Sequence, residues 1–169
     1  KKNRFANISP YDDNRVILSP LGDLTNEYIN ASHVDGYSKP RKFIAAQGPV
    51  PSSIVDFWRM VWQEKVPSVV MITNLVEGKK TKCEQYWPSS GSQDFGPFHV
   101  SITHQLILAD YTIRTLSVEL SGKTRKVTHF HYTAWPDHGV PDYATSMLNF
   151  HKVVLRDHKA QRGPLLVHC

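Results

Sequence analysis

The sequence predicts an α/β protein built on a mixed, largely buried central sheet with at least two helices. Three stretches carry that prediction. Val69-Val70-Met71-Ile72 is wholly apolar, as a strand buried on both faces requires. Ahead of it, Ile54, Phe57, Trp58, Val61 and Trp62 fall at i, i+3, i+4, i+7 and i+8, one apolar face of a helix. A helix leading into such a strand is half of a crossover unit. Between Phe98 and Thr133 the pattern changes to strand, turn, strand, with Leu116, Val118 and Leu120 alternating with polar residues, so part of the sheet is antiparallel.

Taken in order, residues 1–23 are polar and turn-rich, with a short strand at Arg15-Val16-Ile17-Leu18. Tyr28–Ser32 and Arg41–Ala46 read as strands around an Asp35-Gly36-Tyr37 turn, and Gln47-Gly48-Pro49 ends the second. Ser53, with Asp56 three residues on, has the spacing of a capping box at the start of the first helix, and Pro67 closes that helix. Residues 77–97 carry Pro88, Gly91, Gly96 and Pro97 and read as a basic loop. Strands are then expected at Phe98–Leu108, Tyr111–Leu120 and Lys126–Thr133, with Ser121-Gly122 turning between the last two. Asp142 is placed to cap a second helix that carries Ala144, Met147, Leu148, His151, Val154 and Leu155 and runs to about His158. Gly163-Pro164 breaks the chain before a last apolar run, Leu165–Val167, which ends on His168-Cys169.

At 169 residues the chain is one domain with apolar content for a core. No run approaches the roughly 18 apolar residues of a membrane span, and no secretory pattern opens the chain. Two cysteines do not make a disulfide scaffold, so a reducing compartment is expected. The net charge of +5 is spread out, with one knot at Lys79, Lys80 and Lys82. That suits a solvated surface with a mild pull on anionic substrates, not the clustered stripe of a nucleic-acid binder. The chain has no initiator Met and stops on an apolar strand, so it is expected to be a fragment.

Two stretches could carry chemistry. A strand ending on Cys169 would deliver a thiol to the rim of a sheet, where ligands of open α/β sheets sit; a lone cysteine there is equally an inert buried thiol. Trp135-Pro136-Asp137-His138-Gly139-Val140-Pro141 is a constrained loop with an acid beside apolar surface. Desolvation raises the pKa of such a carboxyl, which suits a general acid, although Asp is also a common turn residue. His129 and His131 share one strand face, but their spacing to His138, His168 and the cysteines matches no common zinc pattern, and no metal site is expected.

Several stretches together resemble one family, the catalytic domain of the protein tyrosine phosphatases, and most of all its receptor-type members. They are Lys2–Phe5, Asn26–Ala31, Phe43–Pro49, Phe57–Trp62, Lys82–Pro88, His129–Tyr132, Trp135–Pro141 and Val167–Cys169, in the family's order and across the whole chain. The resemblance implies a highly twisted mixed sheet flanked by helices, with the C-terminal part of the domain missing, so that residues 1–169 are a single incomplete domain. It implies hydrolysis of phosphotyrosine in proteins through a phosphocysteine, with no metal or cofactor. The partners are then phosphotyrosine-containing proteins; no nucleic acid and no membrane contact by this segment is implied. The location is cytoplasmic, which includes the inner side of a single-pass membrane receptor.

By resemblance, Cys169 matches the nucleophile and Asp137 the general acid, on a loop that closes over substrate. His168 matches a partner that orients the cysteine loop and tunes its pKa. Phe5 stands where the family usually has a tyrosine stacking on the substrate ring, and Asn7 where some members have an Asp holding the substrate backbone. Lys82 and Glu77 match a loop supporting the closed site, with Glu77 normally pairing the family's phosphate-binding arginine.

The departures are as informative. The family pattern runs from the cysteine through five residues to an arginine, and a later glutamine positions water; neither is in this sequence. The chain by itself is therefore expected not to hydrolyse phosphotyrosine. It is also expected to leave Trp58, Trp62 and the Val69–Ile72 strand partly exposed, for want of a covering helix. Glu27 replaces the commoner Asp. Asp137 is Asp and not the Glu frequent in inactive second domains, which favours a catalytic domain over the alternative, an inactive phosphotyrosine-binding or regulatory module of the same fold.

Overall fold

The structure is a computed structural model, and it describes residues 2–136, 139–141 and 143–169. Eleven strands are assigned among them: β1 (Arg15–Ile17), β2 (Tyr28–Val34), β3 (Phe43–Ala46), β4 (Ser68–Met71), β5 (Val76–Glu77), β6 (Lys80–Thr81), β7 (Ser92–Phe95), β8 (Phe98–Ile107), β9 (Tyr111–Leu120), β10 (Lys123–Tyr132) and β11 (Leu165–His168). The helices are α1 (Ile54–Gln63), after a 3-10 turn at Pro51–Ser53, and α2 (Ala144–His158). Nine strands form one sheet in the order β1-β2-β3-β11-β4-β10-β9-β8-β7, and β5 and β6 pair separately.

The middle of that sheet is parallel, β3-β11-β4-β10, and both flanks are antiparallel. Its two crossovers interleave. The connection β3–α1–β4 straddles β11, and β10–α2–β11 straddles β4. Alternation along the parallel strands assigns the faces. Val69, Met71, Leu166 and Ile44 join Phe57, Trp58, Met60 and Val61 of α1 in one core. Val70, Leu165, Phe130 and Tyr132 join Phe150 and Val154 of α2 in the other. Period-2 side chains on doubly covered strands give each helix its own apolar floor.

The expected central strand is β4, buried from Ser68 to Met71, with Ile72 half-buried just beyond it. The meander β8-β9-β10 is as expected, with β10 three residues longer at its start. Residues 77–97, expected to be a loop, contain three short strands instead. Gly78 (φ 52°) and Lys79 (φ 66°) turn the β5–β6 hairpin, a two-residue reversal that needs positive φ at both positions. β7 is an edge strand whose first three residues are exposed, so only Phe95 shows an inward side chain and no alternation is there to read.

The capping box does not form. Ser53 sits at the N-cap of α1, but its hydroxyl bonds back to Val50, accepting from the amide at 3.0 Å and donating to the carbonyl at 3.1 Å. Asp56 is drawn into a buried ion pair with Arg59 (2.9 Å) and Lys2, and accepts from Asn26. Arg59 also donates to the carbonyls of Asn26 and Ser19, which ties α1 to both ends of the connection between β1 and β2. A charge taken out of water needs such partners, and it gains more from them than a cap would supply. The residue ahead of α2 is Tyr143; the expected cap, Asp142, lies outside the described residues.

Trp58 and the β4 strand are buried, contrary to the expectation of exposure, because α1 and the Tyr86 region cover that face, whereas Trp62 and Ile72 are partly exposed as expected. Among the described residues an apolar groove of about 350 Å³ stays open on the α2 side, and its lining includes Phe43, Ile72, Met147, Leu155 and Val167.

Candidate active site

The carboxyl ends of the four parallel strands open onto one cleft of about 560 Å³. Ala46, Gln47 and Gly48 follow from β3, Ile72 and Thr73 from β4, Trp135 and Pro136 from β10, and Cys169 from β11. Arg4, Phe5 and Ile8 close one side; Glu77 and Lys82, from the β5–β6 hairpin and just beyond it, close another. A crevice outside the carboxyl ends of strands is where open α/β sheets hold ligands.

Of the residues singled out in the sequence, Cys169, Phe5, Glu77 and Lys82 line this cleft. His168 is buried directly behind it. Asn7 is exposed on the turn between Phe5 and Ile8 and is not among the lining residues. Asp137 lies outside the described residues. Arg4, Gln47, Gly48, Thr73 and Trp135 also line the cleft and were not singled out as site residues. Their signal was present, since four of the five lie in stretches that carry the resemblance.

Cys169 is held by its surroundings at the backbone. A Cβ on Gly48 would stand 2.6 Å from the Cys169 carbonyl oxygen, 2.9 Å from that of Lys82 and 3.0 Å from Cys83 Cβ. Only glycine lets the turn after β3 pass so close. Arg4 fixes the same turn from outside, donating to Pro49 O (2.7 Å), Gly48 O (3.3 Å) and Thr81 O (2.9 Å). Gln47 accepts from the Arg4 amide and donates to Lys2 O, so the N-terminal segment that carries Phe5 is sewn to the cleft wall. Phe5 is 58% exposed there, which leaves an aromatic face free.

Glu77 Oε1 accepts from Thr73 Oγ1 and from the Asn74 amide, each at 3.1 Å, and so braces the chain leaving β4. Its other oxygen is 3.9 Å from Lys82 Nζ. The two cysteines differ in environment. Cys169 is exposed; Cys83 is buried, and burial pushes its thiol up to about 12.

His168 is completely enclosed, and burial pulls its imidazole down to about 3, against a backbone hydrogen bond to Cys169 that favours the charged ring. It is therefore neutral near pH 7. It can orient the chain at Cys169, but it brings no positive charge to the thiol. Its Nε2 is 2.7 Å from the Tyr86 hydroxyl, which is also 2.7 Å from Nε2 of His129. His131 Nε2 is 2.8 Å from Thr73 O. The strand histidines are thus packed and hydrogen-bonded side chains.

The family model for protein-tyrosine phosphatase matches residues 1–169. The chain belongs to the protein-tyrosine phosphatase family. Among curated proteins of this family, it is 48% identical to a Lar-like tyrosine-protein phosphatase of Caenorhabditis elegans over 171 residues, covering 99% of the chain and 8% of that protein. It is 44% identical to the human receptor-type tyrosine-protein phosphatase eta over 173 residues, covering 99% of the chain and 13% of that protein. To the chicken receptor-type tyrosine-protein phosphatase S it is 44% identical over 171 residues, 99% of the chain and 11% of that protein. The chain thus spans about a tenth of the length of the phosphatases it matches. Among the described residues no helix is long and apolar enough to cross a membrane.

Proposed function

We propose that this domain hydrolyses phosphotyrosine in proteins, with Cys169 as nucleophile, on the cytoplasmic side of a receptor-type protein. The observation that supports it most is the position of Cys169 at the carboxyl end of β11, exposed in the cleft where all four parallel strands end. The Cys169 thiolate attacks phosphorus and the phosphoryl group passes to sulfur as the tyrosyl oxygen leaves. Asp137 protonates that oxygen, then deprotonates the water that frees phosphate. Phe5 stacks on the phenyl ring, with Asn7 beside it at the substrate backbone. Glu77 and Lys82 hold the wall beside Cys169, and His168 holds the chain that carries it. None of these steps calls on a metal or a cofactor.

The test is phosphate release from a phosphotyrosyl peptide and a series of aryl phosphates by the full-length protein. Cys169→Ser should abolish turnover. Asp137→Ala should lower kcat by roughly 10²–10⁴, the usual range for general acid catalysis. That defect should shrink as the phenol becomes more acidic, because a better leaving group needs less help from a proton. A defect that stayed constant along the series would make Asp137 a turn residue only. A wild-type protein that binds the phosphopeptide without turning it over would be the inactive module of the same fold.

A further inference from the structure

Behind the cleft runs a chain of polar groups, buried but for half-buried Arg114, that take no part in making or breaking bonds. Its outer end is Arg114 on β9, three strands away from β11 in the sheet and so roughly 14 Å from it at the usual strand spacing. The Arg114 guanidinium lies over the Trp87 ring, 4.8 Å from its centroid, and donates to Gln105 Oε1 at 3.0 Å. Its NH1 faces Nδ1 of His129 at 3.4 Å and Nδ1 of His131 at 3.5 Å. Next come His129 Nε2, the Tyr86 hydroxyl and His168 Nε2, in two steps of 2.7 Å. Phe57, Trp58, Trp87 and both imidazoles pack around the Tyr86 ring, which fixes where its hydroxyl can be.

Such a chain has a direction, because its members have few protons to give. Arginine only donates, a neutral imidazole has one N–H and one lone pair, and a phenol has one O–H. Burial keeps His129 and His168 neutral and Tyr86 protonated. Arg114 NH1 therefore requires lone pairs on Nδ1 of His129 and of His131. His131 satisfies this independently, since its Nε2 must donate to the Thr73 carbonyl. His129 then carries its proton on Nε2 and donates to the Tyr86 oxygen. Tyr86 gives its proton to Nε2 of His168, which leaves the His168 proton on Nδ1. Among the described residues Nδ1 is buried with no hydrogen-bond partner, and the backbone group that acts on the ring is that of Cys169.

We propose that Arg114 is a positioning residue: acting through His129 and Tyr86, it sets His168 in the Nδ1–H tautomer and so presents a donor, not a lone pair, to the Cys169 backbone. A donor there attracts the Cys169 carbonyl, while a lone pair would repel it. The orientation of the strand end at the cleft is thus decided on another strand, by a cation that never meets a substrate. The value of this to catalysis rests on Cys169 being the nucleophile; the tautomer does not.

The tautomer is read by nitrogen-15 spectra of the imidazole rings in the chain labelled at histidine, at neutral pH. Wild type should show His168 with its proton on Nδ1, and His129 and His131 with theirs on Nε2. In Arg114→Met, which keeps a long side chain on Trp87 but removes the donor, His168 should become a mixture of tautomers or invert. Arg114→Lys, which restores a donor, should return it at least in part. His168 protonated on Nε2 in the wild type would overturn the proposal even if neither variant folded. So would a folded Arg114→Met chain whose His168 is unchanged. No readout depends on phosphatase activity, so the spectra and the turnover test can fail separately.

Discussion

The carbonyl oxygen of Cys169 occupies the space a side chain on Gly48 would need, 2.6 Å from where its Cβ would be. The obstacle is backbone, as is the Lys82 carbonyl at 2.9 Å, so a flexible side chain cannot swing away to relieve it. Gly48→Ala should therefore lower stability by about 1–3 kcal/mol, the usual cost of overpacking a tight site. Urea denaturation checks this. An unchanged midpoint would mean that β11 and the Gly48 turn part easily, and that glycine is not required there.

The two thiols should react in sequence. Cys169 is exposed and Cys83 is buried with its thiol pushed up to about 12, so little of Cys83 is thiolate at neutral pH. Brief treatment with iodoacetamide at pH 7.5, followed by peptide mass mapping, should find the label at Cys169. Cys83 should take it only after denaturant is added. Labelling of Cys83 in the native chain at a rate comparable with Cys169 would contradict the burial of Cys83.

Acid should destabilise the fold well above the pH at which carboxylates titrate. His168 is held down to about 3 and His129 well below its usual range, both by burial first. In the unfolded chain both take up a proton near pH 6.5. Below that pH the unfolded state binds protons that the folded state refuses, so stability falls as pH falls, and is regained as pH rises past 6.5. The slope should be about 1.4 kcal/mol per pH unit for each such histidine, until the folded ring titrates. Urea midpoints measured between pH 7 and 5 test it; a flat profile there would mean that these rings already carry protons in the folded chain.

Much of the frame could be read from residue patterns because each pattern answered to one local force. The Ile54–Trp62 stripe, the Val69–Ile72 run and the Leu116–Leu120 alternation each name an element and the face it buries. The short strands escaped because two or four residues carry too little pattern: β5 and β6 are turned by Gly78 and Lys79, and β7 offers one inward side chain, Phe95. Asp56 misled for a different reason. Its spacing from Ser53 is that of a cap, but Arg59 and Lys2 are brought to it from one turn along and from the chain's start. Local spacing says nothing of a partner that distant.

The sequence by itself determined the α/β class, the strand that ends on Cys169, the family, and the residue types of the cleft wall. Those follow from hydrophobic period and from motif order, which are properties of the chain read along its length. Only the tertiary structure decided that β11 inserts between β3 and β4, so that four strand ends converge on one cleft. It alone decided that Gly48 must make room for Cys169, and that His168 is neutral and joined through Tyr86 to His129 and Arg114. The physical reason is common to all three. Strand order, close approach and the protonation of a buried ring depend on desolvation and contact between segments far apart in the chain, and those exist only once the sheet has closed around them.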